Sequence, residues 1–368
     1  VILLLHNRYR HTGGEERAVT DTQWLVREHL GEDCEVLERD SAALGNTRAA
    51  IALVRGGLQP DDVAAAVKRT KARVVHAHNT NPAFGWRALA AARSAGARVV
   101  LHLHNYRLVC AVGTCVNSRG QDCTRCHGRD TLPGVALRCR GGKAESVAYG
   151  IGLATWQQRL VAQADVIVVP SQAARHRLRA LGAPVRDVQV VPHVLRSFAT
   201  TSTADQGQFA LIASRLAPEK DVAGALEAAQ TAGIPTVVAG TGPLEKALRY
   251  AYPATTFKGL VSRDELAELR SRACVAVSAS RAAETFGLGA LEAMADGVPV
   301  AATGVGAVNE LAPEADLVPA GNTRALADAI VRVAGDRQRG QACIAAARSR
   351  CSAEVVAPQL AAVYDRAG

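Results

Sequence analysis

Aromatic residues are scarce in this 368-residue chain: Phe, Trp and Tyr together make up 4% of it and nowhere cluster. That scarcity removes the stacking platforms on which single-stranded nucleic acid is usually held. A nucleic-acid partner is therefore not expected, despite a formal charge of +9. Long apolar runs are missing too: Val1 to Leu5 and Val166 to Val169 fall far short of the ~18 residues a spanning helix needs. The chain opens on Val-Ile-Leu-Leu-Leu without the basic start and small-residue cleavage site of a secretory signal, so a cytoplasmic location is expected. Low-complexity tracts are absent from a composition that is 48% hydrophobic, which argues against disorder. An even set of cysteines is also lacking. The nine are split between a cluster at 110 to 139 and singles at Cys34, Cys274, Cys343 and Cys351, which speaks against a secreted disulfide framework.

What is present is the rhythm of wound parallel sheets. The length exceeds one ordinary core and suits two α/β domains of roughly 180 residues each, with a cleft between them. Short β-branched runs alternate with helical periodicity. In the first half the expected strands are Ile2 to Leu5, Glu35 to Leu37, Val74 to Ala77, Val99 to Leu103, Val166 to Val169 and Val188 to Val191. One intervening helix runs from about Arg17 to Leu30, with Ala18, Thr22, Leu25 and Val26 on one face. A polar, turn-rich stretch at 192 to 208 reads as a linker. A second series follows, with strands at Phe209 to Ala213, Thr236 to Ala239, Thr256 to Lys258, Val275 to Val277, Val298 to Ala301 and Asp316 to Val318. Helices near 324–334, 339–350 and 353–364 end the chain. Expected domains are 1–195, with a Cys-rich insertion at 107–143, and 205–350; the helix in 351–368 is placed to pack back on the first.

In open parallel sheets ligands sit beyond the carboxyl ends of the strands, so the loops there carry the chemistry. After the first strand comes His6-Asn7-Arg8-Tyr9-Arg10-His11-Thr12-Gly13-Gly14-Glu15-Glu16 and then a helix. Paired glycines let backbone amides approach a phosphate oxygen at a helix start. It is no full Gly-x-Gly-x-x-Gly, which argues against a dinucleotide dehydrogenase. The fourth strand runs into His102, His104 and Asn105; both histidines lie on one side of the strand, with His104 nearer the loop. In the second half, Arg215 and Lys220 flank a Pro-containing turn and are placed to converge on one anion such as a pyrophosphate. The most specific run is Ala283 to Ala301, in which Glu284 precedes a helix and Glu292 lies about one turn inside it. One carboxylate suits sugar hydroxyls and the other ribose hydroxyls, while amides of Phe286, Gly287 and Leu288 meet phosphates.

With these residues in hand, the sequence resembles the family 4 glycosyltransferases, retaining enzymes of the GT-B fold: two Rossmann-like domains whose parallel sheets face each other across a cleft. The likeness rests on the Glu284-x7-Glu292 run and its Glu-Ala-Met-Ala-x-Gly-x-Pro-Val continuation. Thr303 to Ala307 with Glu310, Ser-Arg-Leu-x-Pro-Glu-Lys at 214 to 220, and Gly240-Thr241-Gly242-Pro243 extend it. In the first half, Gly13-Gly14 and Leu103-His104-Asn105-Tyr106-Arg107 look like a branch linked to cell-surface polysaccharides. The family often has proline after the first glutamate, where this chain has Thr285. The resemblance implies that Arg215 and Lys220 bind the donor diphosphate, Glu292 the ribose and Glu284 the donor sugar. It also implies that Gly240, Gly242 and the Lys258-Gly259-Leu260 segment line the nucleotide site, with the segment against the base, that Gly13 and Gly14 approach the diphosphate, and that His104 sits near the anomeric carbon.

The implied reaction moves a sugar from a nucleotide-diphosphate donor to an acceptor hydroxyl of a small molecule, glycan or lipid-linked compound, in surface-glycan or natural-product synthesis. No Asp-x-Asp stands in a suitable loop, so no catalytic cofactor is expected. Two alternatives stay open: a sugar-nucleotide epimerase or phosphorylase of the same architecture, and a non-catalytic nucleotide-binding protein.

The insertion has a chemistry of its own. Cys123 and Cys126 can close two positions of a tetrahedral zinc site, and Cys110 and Cys139 the other two, with Cys115 or His127 as substitutes. Arg107, Arg119, Arg125, Arg129, Arg138, Arg140 and Lys143 outweigh Asp122 and Asp130 there, a surplus suited to an acidic acceptor or an anionic membrane surface.

Overall fold

Ile2, Leu3, Leu4 and Leu5 are all buried, on both faces of their strand, as a central strand of a helix-covered parallel sheet requires. A computed structural model describes residues 1–9, 13–117 and 120–367. Its first sheet contains β1 (Ile2–Arg8), β2 (Cys34–Asp40), β3 (Val74–Asn79), β4 (Arg98–His102), β5 (Val166–Val169) and β6 (Val188–Val190). They lie in the order β2-β1-β3-β4-β5-β6, and every pair is parallel. The second sheet contains β7 (Phe209–Ala213), β8 (Thr236–Ala239), β9 (Thr256–Gly259), β10 (Ala273–Ser278), β11 (Val300–Thr303) and β12 (Asp316–Val318). Its order is β12-β11-β10-β7-β8-β9, again all parallel.

The chain divides into two units. The first runs to Val194, apart from a few residues of the insertion before Cys123, and includes the last helix, Ala353–Ala367. That helix sets Val356, Leu360, Val363 and Tyr364 against Ile2, Leu4, Val74, Val100 and Val168 of the first sheet. The second unit is built on Leu195–Ser352. Successive residues of its strands face opposite ways. Leu211 and Ala276 join the core under the helices Leu288–Ala295 and Arg337–Cys351, whereas Ile212, Val275 and Val277 pack under Val222–Thr231 and Thr323–Val333.

Three local readings change. Of the 192–208 stretch expected as a linker, the residues from Leu195 on cluster with the second unit and bond within it: the Ala199 amide donates to the Ala295 carbonyl (2.9 Å) and the Ser202 hydroxyl to the Gly297 carbonyl (2.5 Å). The first helix is Gly14–His29, starting before its apolar stripe, because the Glu16 carboxylate reaches back to the Gly13 amide (2.8 Å) and caps it. Strands β1 and β3 outrun their apolar segments, since their polar ends are bonded: Asn79 Nδ2 donates to the Asn7 carbonyl at 2.6 Å.

A row of imidazoles crosses the first sheet. His76 and His78 alternate on β3, His102 and His104 on and just after β4, and His193 follows β6. Their ring centroids lie 4.2 Å apart for His76 and His78, 4.1 Å for His102 and His104, and 5.0 Å for His104 and His193. His76 is anchored by the Tyr364 hydroxyl, 2.9 Å from its Nδ1. Burial pushes all five rings toward the neutral form, His76 to about 3 and His193 to about 4. Unfolded, each imidazole takes up a proton near pH 6.5, the ordinary value. Stability is therefore full above pH 6.5 and falls as the pH drops from there toward 4, by about 1.4 kcal/mol per pH unit for each imidazole still neutral in the fold. Urea unfolding midpoints at about pH 7.5 and about pH 4.5 check this: the acid midpoint is expected to be clearly lower, and equal midpoints would refute the neutral row.

Candidate functional site

In the second unit the chain runs outward from β7 to β9 on one side and then returns to lay β10 to β12 on the other. The loops after β7 and β10 thus leave adjacent strands in opposite directions, the switch point at which open α/β sheets bind ligands. The first of these loops carries Arg215 and ends in the short 3₁₀ turn Pro218–Lys220. The second carries Glu284 into the helix Leu288–Ala295.

The two loops meet through charge. Lys220 Nζ bonds to Glu284 Oε1, although 64 residues separate them. Burial would raise the Glu284 carboxyl, but Lys220, a hydrogen bond from Ser280 and the Arg215 charge together hold it below 4.5. Arg215, half exposed, pairs with Glu219 four residues on. The Glu219 carbonyl in turn accepts the Arg281 amide (2.8 Å) and the Ser280 hydroxyl (3.2 Å), tying the two loops together again.

Two glycines let the loops after β8 and β11 pack against these two. Gly240, at φ +138°, lies so near the Ser214 carbonyl that a Cβ would stand 1.9 Å from its oxygen; Gly306, at φ +54°, would put one 2.3 Å from the Glu284 carbonyl. The Ala307 amide donates to that same carbonyl at 2.8 Å and fixes the Glu284 loop. Gly242 packs beneath the Leu216 carbonyl, and the Gly240 amide donates to the Gly259 carbonyl at 2.7 Å. The Lys258-Gly259-Leu260 segment is thereby joined to the floor of the site, with Lys258 exposed and Leu260 75% exposed. Gly287 caps the helix Leu288–Ala295, whose first amides have no acceptor within the helix. The Phe286 side chain is buried in the core, which leaves only its backbone for a ligand. Glu292 is buried one turn inside, 3.3 Å from Arg270, which also bonds Asp296.

Gly13, Gly14 and His104 belong to the first unit. Gly13 precedes the first helix and already donates its amide to Glu16, while Gly14 is the first helical residue. His104 is buried, with Nε2 2.8 Å from His78 Nδ1. Asn105 donates to Glu15 (2.6 Å) and to the Tyr9 hydroxyl (3.0 Å), and the Arg107 guanidinium lies 4.8 Å from the Tyr9 ring centroid. Burial raises the Glu15 carboxyl, with Arg107, Asn105 and Tyr9 opposing it. His78, His102, His104 and Arg107 line a cavity of about 50 Å³ whose apolar wall includes Trp86 and Trp156. Two sets of imidazoles, His76 with His78 and His102, and His102 with His104 and His193, place ligand atoms within 4.8 Å of one another, a geometry that can hold a metal. The thiols of Cys110, Cys115, Cys123, Cys126 and Cys139 are all free. Arg10, His11, Thr12 and Arg119 lie outside the described residues.

Residues 5–193, just over half the chain, match the sequence profile of the glycosyl transferase 4-like domain. The chain belongs to that glycosyltransferase family. Residues 196–350 match a second profile, glycosyl transferases group 1. No curated protein matches the chain significantly. Among solved structures, a sucrose-phosphate synthase from Thermosynechococcus elongatus superposes with a TM-score of 0.69 at 18% identity, over 99% of this chain and 98% of that one. The Anabaena protein HepE, solved in complex with UDP-glucose, gives 0.64 at 17% identity over 99% of both chains. AviGT4, a glycosyltransferase involved in avilamycin A biosynthesis, gives 0.62 at 18% identity over 99% of this chain and 97% of that one. At such identities the likeness is one of fold, and the fold is GT-B-like, with two Rossmann-like parallel-sheet domains.

Several residues around the candidate site escape a reading of the sequence. His78 and His76 had a usable signal, since Val74-Val75-His76-Ala77-His78 repeats the pattern of Val100-Leu101-His102-Leu103-His104. Arg270 had none: it sits on the polar, solvent-patterned helix Arg263–Ser271 and reveals itself only by its two carboxylate partners. Replacing Arg270 with Ala leaves buried Glu292 without this cation and is expected to cost about 3 kcal/mol. Chemical denaturation reads that loss directly; a change below about 0.5 kcal/mol, the level of an ordinary surface substitution, would show that Glu292 is held by other groups.

Proposed function

We propose that this glycosyltransferase moves a sugar from a nucleotide-diphosphate donor to an acceptor hydroxyl, with retention at the anomeric carbon. The observation that carries the reading is the Lys220–Glu284 pair at the switch point, with Arg215 in the same loop and a helix N-terminus directly after Glu284. A sugar diphosphate needs this combination: cations and amides for the phosphates, and a carboxylate one bond further out for the sugar hydroxyls. When the C1–O bond breaks, its electron pair leaves with the diphosphate. Arg215, Lys220 and the helix-start amides supply the positive charge and donors that would stabilise it.

Glu284 is assigned to the sugar, Glu292 to the ribose, and Gly240, Gly242 and Lys258 to Leu260 to the nucleotide. The exposed Leu260 supports an apolar contact for the base. His104 is assigned to the reacting sugar, and Gly13 and Gly14 to the diphosphate. With retention, the acceptor oxygen attacks from the face the diphosphate leaves, and its proton passes to the departing phosphate oxygen. UDP in the HepE structures favours a uridine donor. The acceptor is a small molecule, glycan or lipid-linked compound, for which the cavity beside Trp86 and Trp156 offers an apolar wall.

No helix among the described residues is long and apolar enough to cross a membrane. Peripheral contact is supported by exposed Ile51, Val54, Val147 and Ile151 on the helices Ser41–Arg55 and Lys143–Ala162, which pack together and also carry Arg48, Arg55 and Lys143.

Arg215→Ala and Lys220→Ala are each expected to lower turnover by roughly 10²-fold. Near-normal turnover at saturating donor in either variant would overturn the diphosphate assignment. Glu284→Ala should weaken the sugar donor more than the free nucleotide diphosphate, and Glu292→Ala should weaken both; calorimetric titration with each ligand separates the roles. Mass spectrometry of a UDP-sugar with and without acceptors decides the class, because an epimerised or unchanged donor in the presence of every acceptor would refute transfer.

A further inference from the structure

Between Cys110 and Cys139 the chain has little of what usually orders a segment. Among its described residues the regular structure is bridge residues at Val116 and Asp122, the His127–Asp130 bridge pair and the five-residue helix Leu132–Ala136. Few of its apolar side chains are buried: Ala111, Cys115 and Val116 are, whereas Leu132 is 74% exposed. A stretch of this length needs an ordering contribution that a small core does not supply.

Five of the nine cysteines lie here, and the fold brings their three segments together. The Cys110 thiol is hydrogen-bonded to that of Cys115. The Cys115 carbonyl accepts the Cys123 amide at 2.8 Å. Cys126 Sγ packs on Gly134, 3.4 Å from where a Cβ would stand, and the Gly134 carbonyl accepts the Cys139 amide at 3.1 Å. Cys126 lies within electrostatic range of Cys110, Cys123 and Cys139. Exposure then divides the set. Cys110, Cys123, Cys126 and Cys139 are partly exposed, whereas Cys115 is buried.

We infer that Cys110, Cys123, Cys126 and Cys139 bind a structural Zn²⁺, with Cys115 hydrogen-bonded to the Cys110 sulfur from behind. A Zn–S bond of about 2.3 Å sets the sulfurs about 3.8 Å apart. They stand more loosely here, since no three of them meet the 4.8 Å spacing that the histidine sets do, so the ring closes as the metal enters. Binding converts four thiols and one Zn²⁺ into a Zn(S–Cys)₄ centre of charge −2 and releases four protons. Arg177, within range of Cys115 and with its guanidinium 3.3 Å from the Cys123 carbonyl, offsets part of that charge. The centre would pin the insertion beside the carboxyl end of β4, where the Gly113 carbonyl accepts the Tyr106 amide at 2.9 Å.

The test uses the full chain purified without chelator. Elemental analysis should find about one zinc per chain, and the four ligand thiols should resist a disulfide reagent until a mercurial releases the metal. The double variant Cys123→Ser/Cys126→Ser should lose the zinc, while Cys115→Ser and His102→Asn/His193→Asn should keep it. Less than about half an equivalent in the wild type, with all five thiols titrating freely, would overturn the inference. So would zinc retained by the double cysteine variant and lost with the histidines, which would move the metal to the imidazole row. Should the double variant fail to fold, the wild-type thiol count and the Cys115 and histidine variants still decide. Nucleotide-diphosphate binding, measured in parallel, keeps this outcome separate from that of the donor site.

Discussion

A parallel sheet covered by helices on both faces sends the carboxyl end of every strand to the same edge, and everything functional in this chain follows from that constraint. Most of the inner strands are apolar on both sides along their first half, and polar side chains gather toward their carboxyl ends. The chemistry must sit in the loops at that one edge. In the second sheet the reversal between β7 and β10 opens a gap there, and the chain fills it with Lys220 from one loop and Glu284 from the other. An ion pair at the mouth of a helix is poised for a ligand bearing both signs of demand: oxygens that want donors and hydroxyls that want an acceptor.

The glycines show how tightly this edge is built. Gly240 and Gly306 stand where any side chain would collide with the carbonyl of Ser214 or Glu284. They let the loops after β8 and β11 press against the loops that carry Lys220 and Glu284. Arg270 pairs with buried Glu292 and with partly exposed Asp296.

The first sheet uses its edge differently. Beside charged strand ends such as Arg8 and Asp40 it carries a row of imidazoles held by one another and by Tyr364. Burial pushes these rings toward the uncharged form, and the His104 Nε2 is engaged by His78. The last helix, which returns to this unit, supplies Tyr364 and so couples the far end of the chain to the row.

Periodicity made the two parallel sheets legible, because strand and helix repeats are local properties of the chain. Spacing made Glu284 and Glu292 legible as residues on either side of a helix start, for the same reason. Alternation put His102 and His104 on one side of β4. What no local pattern contains is distance through space. Lys220 meets Glu284 across 64 residues, Arg270 meets Glu292 across 22, and Tyr364 meets His76 across 288. The polar run at 195–208 likewise reads as a linker until the carbonyls of Ala295 and Gly297 are seen to accept its donors. The sequence by itself determined which residues stand at the ends of strands. Only the tertiary structure decided which of those ends are neighbours, because strand order is set by how sheets close their cores and not by order along the chain.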